Sequence, residues 1–155
     1  MHCQKKHKEM KKTIAILAVM MMALPMNAST DNDRPIKIAE MPAASREFIA
    51  TYFPSETVAL AKEEREFHGS EYEVVFTSGT KLEFGRDGSW KKISCRYSSV
   101  PDGIVPEELR RKIGELYPSA RTIGIEKDRR TIEIKLDNRM ELTFDRNGEL
   151  IDIDD

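Results

Sequence analysis

A stretch of ten residues recurs in altered form about sixty residues later in this sequence, and this echo constrains the fold more than any other feature. KLEFGRDGSW occupies positions 81–90, and ELTFDRNGEL occupies positions 141–150. Each stretch reads as a strand that ends in Phe, a tight turn closed by Asp-Gly or Asn-Gly, and the start of a second strand. This pattern is the strongest short-range signal for a β-hairpin. The repeated stretch therefore predicts two β-hairpins with the same turn type.

The similarity extends well beyond the two hairpins. Pro42 and Pro106 lie 64 residues apart, whereas Leu82 and Leu142 lie 60 residues apart. The loss of four residues in the loop around His68 reconciles the two offsets. The sequence thus predicts a tandem repeat of a unit of about fifty-five residues. Residues 38–97 form the first predicted repeat and residues 98–155 the second.

Within each predicted unit, the spacing of apolar residues changes from about 3.6 to 2, which indicates a helix followed by strands. A proline opens each helical stretch, and a Phe-Pro or Tyr-Pro pair closes it after about eleven residues. The strands then alternate across tight turns. The predicted core positions are Tyr72, Val74, Phe76, Leu82 and Phe84 in the first unit and Ile132, Ile134, Leu136, Leu142 and Phe144 in the second. The predicted fold class is α+β, with each unit a helix on a four-stranded antiparallel meander.

The first 28 residues have the pattern of a secretory signal peptide. Five lysines precede the apolar run TIAILAVMMMAL at positions 13–24, which is shorter than the roughly 20 residues that a membrane span requires. A small residue, Ala28, offers a cleavage point before Ser29. We therefore expect a periplasmic or secreted mature protein that is not inserted in a membrane, with residues 29–37 as a flexible N-terminal segment.

The charge of the predicted mature chain excludes some classes of binding partner, and its cysteine content excludes an intrachain disulfide. Cleavage after residue 28 removes five lysines and one glutamate, leaving 20 basic and 26 acidic residues and a net charge of about −6. This acidity argues against binding to nucleic acid or to anionic membrane surfaces. Cys95 becomes the only cysteine, so an intrachain disulfide is excluded. Cys95 is then either a buried thiol or a bridge between two chains.

Candidate catalytic residues are scarce in the predicted mature chain. His68 is its only histidine, and the hydrolase, zinc-protease and phosphate-loop motifs are absent. Asp145, Asn147 and Gly148 superficially resemble a calcium loop, but they miss its alternating register, and their place in a hairpin turn already explains them. The sequence therefore predicts a non-enzymatic protein without a cofactor or a bound metal.

The exported leader, the YFP and LYP ends of the two helices, and the stretch from YEV to the DG hairpin together resemble the PepSY-like proteins of Gram-negative gut bacteria. The resemblance covers nearly all of residues 38–154. It implies a fold similar to that of β-lactamase inhibitor protein, in which the two sheets join and the helices lie on one side. It also implies a periplasmic location and no catalytic residues. PepSY domains elsewhere are suspected of restraining secreted peptidases, and the inhibitor binds its enzyme with the open sheet face.

The strand residues of opposite parity to the core predict a candidate binding surface on the sheet face opposite the helices. In the second unit these residues are mostly polar, whereas the first unit offers several apolar side chains rimmed by charge, an arrangement that marks binding surfaces. Trp90 is the expected centre, since tryptophan is enriched in interface hot spots. The predicted binding residues of the first unit are Val58, Leu60, Lys62, Glu73, Val75, Lys81 and Trp90.

Two alternatives remain open at this point. Trp90 lies on the sheet face opposite the helices only if no bulge interrupts its strand; otherwise it packs in the core or between the two repeats. In addition, a register shift of one residue would exchange the residues of the two faces. The preferred function is a module that docks a protein or peptide of unknown identity, and an enzyme that it restrains is one such partner. The alternative is a small-ligand or ion carrier, or a sensor component of the cell envelope.

Overall fold

The computed structural model describes residues 33–155, so the predicted signal peptide lies outside the described residues. Two α-helices are present in this part of the chain, α1 at Ala43–Tyr52 and α2 at Glu107–Leu116, and a short 3-10 helix spans Ile38–Glu40. The strands are β1 (Asp33–Pro35), β2 (Val58–Glu66), β3 (Gly69–Phe76), β4 (Lys81–Phe84), β5 (Trp90–Ser94), β6 (Thr122–Lys127), β7 (Thr131–Leu136), β8 (Glu141–Asp145) and β9 (Leu150–Asp154).

The strands form one antiparallel sheet in the order β1 to β9, so every strand lies beside its neighbours in sequence. The predicted α+β class is confirmed. Each helix precedes four strands, β2 to β5 after α1 and β6 to β9 after α2, and β5 pairs directly with β6. The origin of the two halves as copies of one unit stays a prediction. Within residues 33–155, neither helix is long and apolar enough to cross a membrane.

Both helices begin directly after a proline and end before a second one. Pro42 and Pro106 are the N-cap residues, one position earlier than the sequence pattern indicates. Because proline has no N–H, each removes one of the donors that lack an intrahelical partner at a helix start. Ile49 and Ile113 are the buried centres of the two helices. In α1, Ser45 is also buried, and its hydroxyl donates to the Pro42 carbonyl at 2.8 Å, which satisfies this polar group inside the core.

The core lies between the helices and one face of the sheet, which we call the helix face. The ring of Phe48 on α1 contacts that of Phe84 at 5.8 Å between centroids, and Phe53 stacks on Phe76 at 5.7 Å. Eight of the ten apolar strand positions predicted from alternation are buried in this core: Val74, Phe76, Leu82, Phe84, Ile134, Leu136, Leu142 and Phe144. The other two, Tyr72 and Ile132, are half-buried and pack against it. The opposite face, which we call the open face, is not covered by any element of residues 33–155.

Four irregularities interrupt the sheet register, and they occur at corresponding places in the two halves. Each is a β-bulge, in which one extra residue on one strand moves the following side chains to the other face. In the first half they lie on β2, between Val58 and Leu60, and on β5, between Trp90 and Lys92. In the second half they lie on β6, between Thr122 and Gly124, and on β9, between Leu150 and Asp152.

The segment 29–37, predicted to be flexible, contributes a strand in its described part. Asp33, Arg34 and Pro35 pair with β2, and their side chains reinforce the pairing. The Lys62 ammonium contacts the Asp33 carboxylate at 2.7 Å, and Arg34 donates to the Glu63 carboxylate at 3.0 Å. These ion pairs explain why a stretch without apolar alternation nevertheless forms the first edge of the sheet.

Candidate functional site

The open face is built from two rows of side chains that run across the sheet. Residues directly opposite each other on neighbouring antiparallel strands place their side chains on the same face, so the pairing register defines both rows. The first row is Leu60, Val75, Lys81, Ser94, Gly124, Lys135, Glu141 and Asp154. The second row is Pro35, Lys62, Glu73, Glu83, Lys92, Glu126, Glu133, Thr143 and Asp152.

Ion pairs connect the strands in the first half of this face. The Lys62 ammonium lies between Asp33 and Glu64, at 2.7 and 2.6 Å, and is 3.7 Å from Glu73. Hydrogen bonds to Asp33 and Glu64 raise the pKa of Lys62 above its usual range. Lys81 contacts Glu73 at 2.6 Å and Glu83 at 3.1 Å, and the bond to Glu73 is the main cause of its raised pKa. Both lysines therefore stay charged at neutral pH.

The second half continues the same pattern with different residues. Lys92 on β5 contacts Glu126 on β6 at 2.7 Å, which joins the two halves across the face. Lys135 contacts Glu133 at 3.2 Å and also bonds to Glu141, and the bond to Glu141 is the main cause of its raised pKa. Exposed ion pairs of this kind contribute little to stability individually. Their main effect is to fix the positions of the charges.

The two rows, together with Asp33 of β1, carry more carboxylates than ammonium groups. The carboxylates are Asp33, Glu73, Glu83, Glu126, Glu133, Glu141, Asp152 and Asp154, and the ammonium groups are Lys62, Lys81, Lys92 and Lys135. The carboxylate excess gives the open face a negative potential, which favours partners with basic groups.

Five of the seven predicted binding residues lie together on the open face. Leu60, Val75 and Lys81 are neighbours in the first row, and Lys62 and Glu73 are neighbours in the second row. Leu60 is 43% exposed, and Val75 is half-buried. These five residues form a small apolar centre with a charged rim, which we call the Leu60 corner.

Trp90 does not lie on the open face, so its predicted place at the centre of the surface is wrong. The bulge in β5 places Trp90 opposite Phe84, a core residue, and therefore on the helix face. Its half-buried ring lies 6.3 Å from the ring of Phe48 on α1. The ammonium of Lys127 lies 3.9 Å from the centre of the indole, a cation–π contact between the two halves. Trp90 thus packs at the junction of the halves.

Val58 is also placed differently from its prediction, for the same physical reason. A bulge follows it, so Val58 pairs with the core residue Phe76, whereas Leu60 pairs with Val75. The second half shows the same displacement, because Thr122 pairs with Leu136. The apolar part of the open face is consequently smaller than the sequence indicates.

The residues weighed for chemistry lie apart from each other. His68 is exposed in the turn between β2 and β3, beside the exposed ring of Phe67, whose prominence the sequence analysis missed. Cys95 is buried, and burial is the main cause of the raised pKa of its thiol. The Asp145 carboxylate accepts the backbone N–H groups of Asn147 and Glu149, at 2.8 and 2.9 Å, so it stabilises its own turn. Nowhere in residues 33–155 do three His, Cys, Asp or Glu side chains converge as a metal site would require.

One family profile matches this chain over more than half of its length. A family profile described as "Putative beta-lactamase-inhibitor-like, PepSY-like" matches residues 70–152. No curated protein matches the sequence.

Three solved structures that are similar to this chain come from Bacteroides species. One, from Bacteroides vulgatus, is described as a "putative periplasmic protein" of the DUF2874 family; it is 40% identical, covers 81% of this chain and 99% of its own, and has a TM-score of 0.79. A second, from Bacteroides thetaiotaomicron, is described as a "putative calcium-regulated periplasmic protein"; it is 42% identical, covers 81% and 98%, and has a TM-score of 0.79. A third, also from Bacteroides vulgatus, is described as of unknown function; it is 30% identical, covers 79% and 99%, and has a TM-score of 0.75.

Proposed function

Because the chain belongs to the PepSY-like family of inhibitor-like proteins, we propose that it is a non-enzymatic periplasmic protein that binds a protein or peptide partner on its open face. The observation that carries the proposal is the Leu60 corner, where five residues selected from the sequence alone lie together on a face that the rest of residues 33–155 leaves uncovered. The tandem origin of the two halves belongs to this proposal, since duplication would explain why each half has one helix, four strands and bulges at corresponding places.

The composition of the Leu60 corner fits an interface better than a catalytic site. Protein interfaces combine an apolar centre, which is desolvated on binding, with a polar rim that fixes orientation. Leu60 and Val75 supply the centre, and Lys62, Glu73 and Lys81 supply the rim. The rim charges are already paired with one another, so a partner meets positioned charges and loses little side-chain entropy in ordering them.

The placement of the reactive side chains supports a function without catalysis. General acid–base catalysis requires titratable groups that converge on one reacting atom. His68 lies at the tip of the β2–β3 hairpin, and the Cys95 thiol is buried on the other side of the sheet from the Leu60 corner. An inhibitor needs neither group, because it acts by occupying the surface of its target.

A matched pair of variants tests the open face as the binding surface. The double variant Leu60→Asp/Val75→Asp should lower the apparent affinity for partners captured from a periplasmic extract by about tenfold or more, because it removes the apolar centre. Leu116→Asp is the control, since Leu116 on α2 is 48% exposed, close to the 43% of Leu60. Quantitative mass spectrometry of proteins retained by each immobilised variant measures the effect. Equal retention by the double variant and the wild-type protein would refute the proposal.

A second candidate function is an ion carrier or sensor, which the description of one relative as calcium-regulated favours. The open-face carboxylates are the groups that calcium would use, but lysines already neutralise most of those in the first half. We therefore expect millimolar calcium to leave the melting temperature of the EDTA-treated protein unchanged, measured by differential scanning calorimetry. A saturable rise would instead favour the ion carrier, because a ligand that binds only the folded state stabilises it by mass action.

A further inference from the structure

The outer edge of β9 is the least protected edge of the sheet. Among residues 33–155, no strand pairs with it. The opposite edge, β1, is only three residues long and contains Pro35, which lacks an N–H, so it is a poor template for another strand. β9 has five residues, Leu150–Asp154, without proline or lysine. It therefore lacks two of the devices by which natural sheets prevent pairing at an edge.

The strand β5 shows what the outer edge of β9 can accommodate. Ile93 on β5 lies opposite Leu82, and Ile153 on β9 lies opposite Leu142, so the two strands have the same register against their preceding neighbours. Beyond its bulge, β5 uses residues 92–94 to pair with β6. Residues 152–154 hold the same positions in β9. The bulge in β9 therefore does not prevent the addition of a strand.

The two isoleucines differ in their exposure. Ile93 is 1% exposed, and it lies opposite Ile125 of β6. Ile153 points to the same face of the sheet but is 43% exposed, because no described strand lies beside it. An added strand with an apolar residue opposite Ile153 would remove this surface from water, as β6 does for Ile93.

The charges on either side of Ile153 indicate the chemistry of the added strand. At the corresponding place in β5, Lys92 pairs with Glu126 of β6 at 2.7 Å. In β9 the flanking residues are Asp152 and Asp154, and in the described part of the chain no lysine or arginine forms an ion pair with either. The edge therefore presents an apolar side chain between two unneutralised carboxylates.

We propose that the outer edge of β9 binds an extended segment of a partner protein in which one apolar residue lies between two basic residues. The segment adds to the sheet as a tenth, antiparallel strand: its backbone bonds to β9, its apolar residue packs on Ile153, and its basic residues pair with Asp152 and Asp154. A second copy of this chain is disfavoured, because β9 against β9 would place aspartates opposite aspartates. The site is separate from the Leu60 corner, since six strand spacings make a distance of about 29 Å.

A synthetic peptide tests this edge directly. The probe carries Lys-Ile-Lys between flanking glycines, and the control peptide has the same sequence with N-methyl groups on the isoleucine and the following lysine, which block strand pairing. We expect the probe to bind in isothermal titration calorimetry and to shift the backbone amide NMR signals of residues 152–154 selectively. Binding of the N-methylated peptide should be weaker by about tenfold or more, since main-chain hydrogen bonds supply much of the affinity in strand addition.

Charge reversal provides the second arm of the experiment. The variant Asp152→Lys/Asp154→Lys should lose affinity for the probe by about tenfold or more and should prefer a Glu-Ile-Glu peptide, because like charges repel across a strand pair. Equal binding of the probe and the N-methylated peptide, no binding at all, or dimers of the wild-type chain that this variant abolishes in ultracentrifugation would each overturn the proposal. Leu60→Asp/Val75→Asp should bind the probe normally, so failure here is distinguishable from failure of the proposed function.

Discussion

Replacing Val74 by aspartate should unfold the protein, whereas the same replacement at Val75, the next residue, should leave it folded. The two valines are adjacent on β3, but their side chains lie on opposite faces of the sheet. Val74 is 0% exposed and lies in the core opposite Leu82, and Val75 lies on the open face opposite Lys81. Because the side-chain period of a strand is two, this pair tests the register of the sheet at a single step.

The expected effects differ by several kcal/mol. Val74→Asp exchanges a buried apolar side chain for a carboxyl group without a hydrogen-bond partner, which costs about 5 kcal/mol, a large part of the stability of an ordinary small domain. Val75→Asp changes stability by about 1 kcal/mol, the range of strand propensity, and places its carboxylate opposite the Lys81 ammonium. Circular dichroism in the absence of urea shows whether each variant is folded, and urea unfolding measures the free energy of unfolding of those that are.

A corresponding substitution in the second half provides the control for local effects. Ile134 on β7 is 0% exposed and lies opposite Leu142, as Val74 lies opposite Leu82. Ile134→Asp should therefore be as destabilising as Val74→Asp. A folded Val74→Asp variant together with an unfolded Val75→Asp variant would show that the two faces are exchanged.

Much of the fold follows from patterns of two kinds in the sequence. Strict alternation identifies the core positions of β3, β4, β7 and β8; eight of the ten are buried, and Tyr72 and Ile132 are half-buried against the core. The prolines mark the helix ends to within one residue. These predictions succeed because alternation and helix termination are local consequences of backbone geometry, which distant parts of the chain do not change.

The position of Trp90 could not be read from alternation, because the bulge adds one residue to the count. A signal for the bulge is nevertheless present in the sequence. Trp90 and Ile93 are three residues apart, as are Leu150 and Ile153, and two large apolar residues at this spacing cannot share one face of a regular strand. Both pairs do share the helix face in the structure. The recurrence of this spacing in both halves would have identified the bulge.

Other features depend on contacts that are distant in sequence. β1 forms because Asp33 binds Lys62 and Arg34 binds Glu63, each 29 residues later in the chain. Hydrophobic periodicity does not indicate such a pairing of charges. The burial of Ser45 likewise depends on the proximity of the β4–β5 turn, where Gly88 faces the start of α1. The candidate surface was therefore predictable where regular strands form it and unpredictable at its bulges and edges.

Replacing Gly88 by alanine should destabilise the protein more than the same replacement at Gly148. Both glycines have positive φ, +82° and +77°, in the turns before β5 and β9. An alanine in this left-handed region costs about 1–2 kcal/mol from backbone strain alone. This cost applies equally to Gly88→Ala and Gly148→Ala, so any further difference between them reports on what surrounds each turn.

The surroundings make Gly88→Ala the more destabilising change. A Cβ at Gly88 would lie 2.8 Å from the Pro42 Cβ and 3.1 Å from the Ser45 backbone nitrogen, so the turn and the first turn of α1 would have to separate. At Gly148 the nearest atoms belong to the Glu108 carboxylate, at 3.2 Å, and this flexible side chain can move. We expect losses of about 3 kcal/mol for Gly88→Ala and about 1 kcal/mol for Gly148→Ala in urea unfolding. The variant Gly148→Ala/Glu108→Ala, compared with Glu108→Ala alone, is the control, because this comparison cancels the loss of the Glu108–Lys112 ion pair and leaves only backbone strain at residue 148. Equal losses at the two glycines would mean that the first hairpin does not press against α1, and the packing of that helix on β4 and β5 would need revision.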